Sequence, residues 1–99
     1  MDLKLRIGLR ASAQIEKADR WWRENRPAAP GALREDLHAA FDAILSQPGL
    51  GTRVESKRVA GVRRLHLGRI RYYVYYHVCG EELIVLSVWH SSRGSLPSF

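Results

Sequence analysis

The sequence predicts a two-layer α+β domain in which a helical hairpin packs on one face of a mainly antiparallel sheet. Three observations support this fold class: apolar and polar residues alternate near the start, two segments with helical periodicity follow, and short β-rich segments separated by turns come last. The predicted order is therefore β-α-α-β-β-β. The 99 residues suit a single domain spanning 1–99, with a short polar tail from about residue 91.

A strand followed by a helix is predicted at the start of the chain. The apolar positions of the strand are Leu3, Leu5, Ile7 and Leu9. Mostly cationic residues separate them, which gives the strand one apolar face and one cationic face. Ser12 is the predicted N-cap of the helix, because its hydroxyl can accept a hydrogen bond from the first turn. The helix should end near Asn25, since Pro27 cannot continue it.

The second helix has the clearest periodicity in the sequence. Its apolar residues recur at intervals of three and four: Leu33, Leu37, Ala40, Phe41 and Ile44. Pro48, Gly49 and Gly51 end it, and the polar segment 52–58 is predicted to be a loop. A short connection rich in proline and glycine joins the two helices, so they should form an antiparallel hairpin over the sheet.

Three successive strands are predicted over residues 62–67, 70–78 and 83–90. The last is apolar without alternation, which indicates a central strand covered on both sides. Side chains of the middle strand should alternate between two faces. The predicted core-facing residues are Ile70, Tyr72, Val74, Tyr76 and Val78. The predicted solvent-facing residues are Arg71, Tyr73, Tyr75, His77 and Cys79.

Composition narrows the functional classes. Sixteen lysines and arginines against ten acids give a net charge of +6, which favours an anionic partner over a merely soluble surface. The single cysteine, Cys79, fits a reducing compartment. The sequence has neither a signal peptide nor an apolar run long enough for a membrane span, so the cytoplasm is expected. Its histidines are scattered, and neither a metal site nor a cofactor is predicted.

Cationic and aromatic residues concentrate in the predicted sheet. Arg64 and His66 should project from one strand beside Arg71, Tyr73 and Tyr75 of the next. Guanidinium groups bind phosphate, tyrosine rings stack on bases and imidazole transfers protons, so this surface suits RNA. A cross-strand cluster with a structural role is the alternative for Tyr73 and Tyr75. At the end of the last strand, His90 and Arg93 could serve as acid and clamp in phosphodiester cleavage.

Four local strings, in this order, resemble the RelE/ParE superfamily of bacterial toxins, and the ParE branch most closely. They are WWRENRPAAPGALREDL, QPGLG, VRRLHLGRIRYYVYYHV and VLSVWHSSRG. The resemblance covers nearly the whole chain and rests on their order and spacing. It implies the toxin half of a type II toxin–antitoxin pair, with a ParD-like acidic antitoxin that folds along the domain into a hetero-oligomer.

The two branches of this superfamily differ in target. The resemblance implies messenger RNA cleavage in the ribosome for the RelE-like branch, and inhibition of DNA gyrase without a known catalytic set for the ParE-like branch. Arg64 and His66 stand where lysines are usual in the ribonucleases, and Tyr73 stands where a catalytic arginine is expected. His90 matches a position that is often cationic, whereas Ser91 stands in place of another arginine. The tail also lacks the ribonuclease tyrosine, and these departures favour the ParE reading.

The sequence thus predicts a non-enzymatic gyrase poison that an antitoxin silences. The predicted target-binding residues are Arg63, Arg64, Arg71, Tyr73, Tyr75, His90 and Arg93. The predicted antitoxin-binding residues are Trp21, Trp22, Leu37 and Phe41. One alternative is a metal-independent, ribosome-dependent endoribonuclease that would use Arg64, His66, Arg71, His90 and Arg93. The other is an inactive module with the toxin fold that only binds partners.

Overall fold

A computed structural model describes residues 2–92 and 97, and within this part the chain forms two helices and five strands. They are β1 (Lys4–Ile7), α1 (Leu9–Asn25), α2 (Ala32–Ser46), β2 (Thr52–Arg53), β3 (Arg63–Leu67), β4 (Tyr72–Cys79) and β5 (Glu82–His90). Both helices pack through their apolar stripes on one face of the sheet, so the predicted α+β fold class is confirmed. In this part of the chain, neither helix is long and apolar enough to cross a membrane.

The sheet has the order β1-β5-β4-β3-β2. β1 pairs with β5 in parallel, and the other neighbours are antiparallel. The central position predicted for the last strand is therefore confirmed. The segment 52–58, predicted to be a loop, instead contributes the short strand β2, because Thr52 and Arg53 pair with Arg64 and Arg63 at the sheet edge.

The first helix starts earlier than the sequence predicts. Its N-cap is Gly8 and not Ser12, because the Gly8 N–H still donates to the Val85 carbonyl at 2.9 Å while the chain turns into the helix. The Ser12 N–H already bonds to the Gly8 carbonyl within the first turn. A Cβ on Gly8 would lie 3.1 Å from the Val85 oxygen, so a larger residue would strain this close approach. The strand-to-helix transition therefore takes a single residue.

Beyond the end of β1, helix α1 replaces the missing strand as a partner for β5. The Gln14 Oε1 accepts hydrogen bonds from the Val88 N–H at 2.8 Å and from the Ser87 hydroxyl at 3.0 Å. A buried backbone N–H left without a partner costs about 1–3 kcal/mol, so this side chain stabilises the sheet where its edge would otherwise be open. Gln14 also fixes α1 over the end of β5.

The core lies between the helices and the inner face of the sheet. Its main contributors from the helices are Ile15, Ala18, Trp22, Leu33, Leu37, Phe41 and Ile44, and from the sheet Val74, Tyr76, Leu83, Val85 and Val88. The predicted alternation in β4 holds for Val74 and Tyr76, which are buried in this core. It fails at Val78, which is 42% exposed and lies past Tyr76, the last residue of β4 that pairs with β3.

Tyr76 holds the loop that follows α2 in place through two hydrogen bonds. The Tyr76 hydroxyl donates to the Pro48 carbonyl at 2.7 Å and accepts from the Gly51 N–H at 2.9 Å. A Cβ on Gly51 would lie 2.7 Å from the Arg64 carbonyl, so only glycine fits there. Arg63 also stabilises this loop, because its guanidinium donates to the Gly51 carbonyl at 2.7 Å.

An ion pair joins the two helices. The buried Asp19 of α1 accepts hydrogen bonds on Oδ2 from Arg34 of α2 at 2.9 Å and from Arg23 at 3.2 Å. Its Oδ1 is buried without a hydrogen-bond partner among the described residues. Burial raises the pKa of this carboxyl, but the hydrogen bonds and charges of Arg34 and Arg23 outweigh burial and bring the pKa below its ordinary value.

Replacing Asp19 with asparagine should therefore lower the free energy of unfolding at pH 7 by about 1–2 kcal/mol. Because the folded-state pKa is depressed, the stabilisation is fully present above the ordinary carboxyl pKa and is lost as the pH falls through the folded-state value. Urea denaturation between pH 7 and pH 2, monitored by circular dichroism, should show the difference between wild type and variant shrinking in acid. Asp42→Asn, an exposed site on α2, is the matched control; an equal loss there would contradict this role for Asp19.

Candidate target and partner surfaces

A cluster of polar and aromatic side chains lies on the outer face of the sheet, opposite the helices. Register places Arg64 directly opposite Tyr75 and His66 directly opposite Tyr73. The Arg64 guanidinium lies 4.3 Å from the centre of the Tyr73 ring, and the His66 and Tyr73 rings are 4.9 Å apart. We call Arg64, His66, Tyr73 and Tyr75 the outer-face cluster.

Arg64 is the organised cation of this cluster. Its Nη1 donates to the Tyr75 hydroxyl at 3.4 Å, while the guanidinium plane stacks on Tyr73. The hydrogen bond to Tyr75 raises the pKa of Arg64 above its ordinary value, although partial burial acts in the opposite direction. A guanidinium held in this way is pre-organised, so less conformational entropy is lost when it binds an anionic or aromatic group.

Tyr75 corrects the prediction of a solvent-accessible pair of tyrosines. Its ring lies on the outer face, 5.9 Å from that of Tyr73, yet only 1% of Tyr75 is exposed. Tyr73 is half-buried and stays accessible. Tyr75 therefore supports Arg64 from beneath, and the prediction that it faces solvent is wrong.

The other predicted target-binding residues do not join this cluster. His90 pairs with Tyr72, and their rings meet edge to face at 5.0 Å on the side of the sheet that carries the core. Arg63 points to the same side, where the loop carbonyls of Gly49 and Gly51 engage it. His66 and His90 therefore project from opposite faces, so they cannot act together as an acid and base on one phosphodiester.

Arg71 lies in the turn between β3 and β4 and not in the predicted strand. Its φ of 61° is in the left-handed region, and its N–H donates to the Leu67 carbonyl at 2.8 Å. Its own carbonyl accepts from the Ser91 N–H at 2.8 Å, which ties this turn to the end of β5. The side chain is exposed at that end of the sheet. Arg93 lies outside the described residues.

A groove of about 520 Å³ opens between α1 and the end of β5. One wall carries Gln14, Lys17, Ala18 and Trp21 at helical spacing, and the other carries Tyr72, Val88, Trp89, His90 and Ser92. We call this the α1–β5 groove. Trp21 is 46% exposed there, and the Arg26 guanidinium lies 5.3 Å from its ring centre.

A second groove of about 490 Å³ lies between β1 and α2. Its apolar lining is Leu5, Ile7, Ile15, Leu37 and Phe41, and its polar rim is Arg34, Glu35 and His38. We call this the β1–α2 groove. Leu5 and Ile7 are more than a third exposed although they are large and apolar, and β1 is an edge strand whose outer side has no neighbour among the described residues.

The four predicted antitoxin-binding residues fall into different places. Leu37 and Phe41 line the β1–α2 groove, although most of each side chain is buried in the core. Trp22 belongs to the core, and its indole N–H donates to the Ala29 carbonyl at 2.8 Å. Trp21 lies in the α1–β5 groove. Sequence reasoning missed Leu5 and Ile7, because alternation marks a strand face but does not show that the strand lies at an edge.

Among the described residues, no group of three or more histidine, cysteine or acidic side chains is arranged to hold a metal ion.

The stacked and hydrogen-bonded Arg64 side chain should be more rigid than an unconstrained arginine on the same sheet. Its Nε–H order parameter, from ¹⁵N relaxation, should exceed that of Arg53, which is exposed on β2. Tyr73→Leu removes the stacking surface, so the Arg64 value should fall toward that of Arg53. Equal order parameters in the wild-type protein would mean that the contacts do not hold the guanidinium in place.

Comparison with known proteins agrees with this architecture. A family model described as "ParE toxin of type II toxin-antitoxin system, parDE" matches residues 5–94. Among solved structures, a chain of the chromosomal ParDE toxin–antitoxin system from P. aeruginosa matches with a TM-score of 0.73 at 20% identity, over 89% of this chain and 95% of that one. At this identity the likeness shows a shared fold. A search of curated proteins found no significant match.

Proposed function

The chain belongs to the ParE toxin family of type II toxin–antitoxin systems, and we propose that it binds and poisons DNA gyrase in the cytoplasm until an acidic, ParD-like antitoxin neutralises it. The observation that carries this proposal is the family match over residues 5–94. Two surfaces of the domain suit these two partners. An accessible cationic cluster lies on one side of the sheet, and a separate apolar groove lies beside the edge strand on the other.

The proposed contact with the target centres on the outer-face cluster. Arg64 is pre-positioned by Tyr73 and Tyr75, and His66 extends the same surface. Arginine and aromatic side chains provide much of the binding energy at protein interfaces. Poisoning by binding needs only affinity, and this surface does not have to complete a catalytic set.

Binding is preferred over RNA cleavage because of where the two candidate histidines lie. Cleavage needs a base for the 2′-hydroxyl and an acid for the leaving oxygen within hydrogen-bond reach of one phosphodiester. His66 belongs to the outer face, whereas His90 packs against Tyr72 on the inner face. The described residues thus offer a binding surface and lack a convergent acid–base pair.

The proposed antitoxin site is the β1–α2 groove. A partner strand can extend the free edge of β1, and an apolar helix face can cover Leu5 and Ile7 beside α2. The net charge of +6 favours an acidic partner. An antitoxin segment that folds on this groove would bury the most exposed apolar side chains of β1.

Purified protein should inhibit gyrase supercoiling at micromolar concentration, and Arg64→Glu should weaken inhibition by about tenfold or more, because it reverses the organised charge of the outer-face cluster. Arg58→Glu makes the same charge reversal in an exposed loop and should inhibit like the wild type. Full supercoiling activity in the presence of wild-type protein would refute the proposed target.

Messages cut in phase with codons during growth arrest would instead support the ribonuclease, and normal growth at high expression would support the inactive module.

Replacing Ile7 with glutamate should weaken antitoxin binding by about tenfold or more, because the variant must bury a carboxylate in an apolar groove. Isothermal titration calorimetry with the cognate antitoxin measures the change. Lys4→Glu on the same strand is a strict control. It changes the net charge by more than Ile7→Glu does, but its side chain lies on the opposite face of β1. If Lys4→Glu weakens binding as much as Ile7→Glu, overall charge and not the groove determines affinity.

A further inference from the structure

The α1–β5 groove is a second concave surface that the antitoxin site leaves free. Its lining residues and those of the β1–α2 groove have no member in common. The two grooves also flank different parts of α1 and the sheet. A partner seated against β1 and α2 therefore does not have to fill the groove at the end of β5.

The polar groups of the α1–β5 groove favour an anion. Lys17 and His90 are the two basic side chains of its described lining, which contains no carboxylate. Lys17 is exposed and forms no ion pair with the described residues. Gln14 is uncharged, and its Oε1 already accepts hydrogen bonds from Val88 and Ser87.

His90 presents a hydrogen-bond donor in a fixed direction. Its Nδ1 lies 3.2 Å from the Ser92 backbone nitrogen and 2.6 Å from the Ser92 hydroxyl. A backbone N–H can only donate, so Nδ1 accepts, and the neutral ring then carries its proton on Nε2. Edge-on packing against Tyr72 fixes the plane of the ring.

The rest of the groove favours a large apolar side chain. Trp21 is half-exposed on the α1 wall, beside Ala18, whose small side chain leaves space above Val88 and Tyr72. A volume of about 520 Å³ is enough for one or two large side chains. An occupant that suits these walls combines a carboxylate near Lys17 and His90 with an aromatic or aliphatic group against Trp21.

We propose that the α1–β5 groove is a docking site for an acidic segment of the toxin's target that carries a large apolar side chain. This inference rests on the proposed function, because it adds a second contact to the same target. The outer-face cluster engages the target through Arg64, and the groove captures a segment of it at the end of β5.

The chemistry of the groove can be tested without any target, using N-acetyltryptophan as the probe and its neutral amide as the matched control. In ¹H–¹⁵N NMR titrations, N-acetyltryptophan should shift the Trp21 indole and His90 signals and should bind at least about fivefold more tightly than the amide. Lys17→Glu should abolish that preference. Equal affinity for the two probes, or shifts confined to Leu5 and Ile7, would overturn the proposal.

The target assay uses the same variant in the full-length protein. Lys17→Glu should weaken gyrase inhibition by about tenfold and leave antitoxin affinity unchanged, whereas Lys57→Glu, an equal charge reversal in an exposed loop, should change neither. A loss of antitoxin affinity in Lys17→Glu alone would assign the groove to the antitoxin and overturn the proposal. Undiminished gyrase inhibition by Lys17→Glu would also overturn it while the proposed function stands. If the wild-type protein fails to inhibit gyrase, the proposed function fails, and the probe titration decides whether the groove takes acidic apolar groups.

Discussion

The pairing of β4 with β5 is the constraint on which the remaining structure depends. β5 lies between β1 and β4, so its register fixes both halves of the sheet. Tyr75 pairs with Ser87 and Tyr76 pairs with Val85, which leaves Leu86 as an extra residue in β5. This bulge lets Val85 and Val88 both face the helices, although regular alternation would send residues three apart to opposite faces. Each β5 side chain after the bulge therefore points to the face opposite to the one that regular alternation would give it.

The same constraint separates the functional surfaces. Before the bulge, alternation places Tyr76 and Val85 inside; after it, Val88 is inside and His90 joins Tyr72 on the inner face. If side chains alternated regularly through Leu86, His90 would project from the outer face beside the row of Tyr73 and His66. The bulge at Leu86 thus places the two histidines on separate surfaces. Gln14 stabilises this arrangement, because it binds the backbone of Val88 where β1 has ended.

Elements with strong periodicity could be predicted from the sequence. The apolar positions of α2, the order of the three later strands and the central place of β5 follow from spacing and composition alone. Two local features could not be predicted. Gly8 caps α1 because of a backbone contact with Val85, and β2 forms because Thr52 and Arg53 meet β3 at the sheet edge. Both depend on tertiary contacts that no local pattern records.

The candidate site was harder to predict than the fold, for the same physical reason. The grouping of Arg64, His66 and Tyr73 follows from alternation within two neighbouring strands, where register is short-ranged. The prediction that His90 joins them assumed regular alternation along β5. The apolar run Leu83–Leu86 does not show where a bulge interrupts that alternation. Tyr75 shows a related limit, since correct alternation gave its face but not its burial beneath Arg64. The bulge that turns Val88 into the core therefore also turns His90 to the inner face, away from His66 on the outer face.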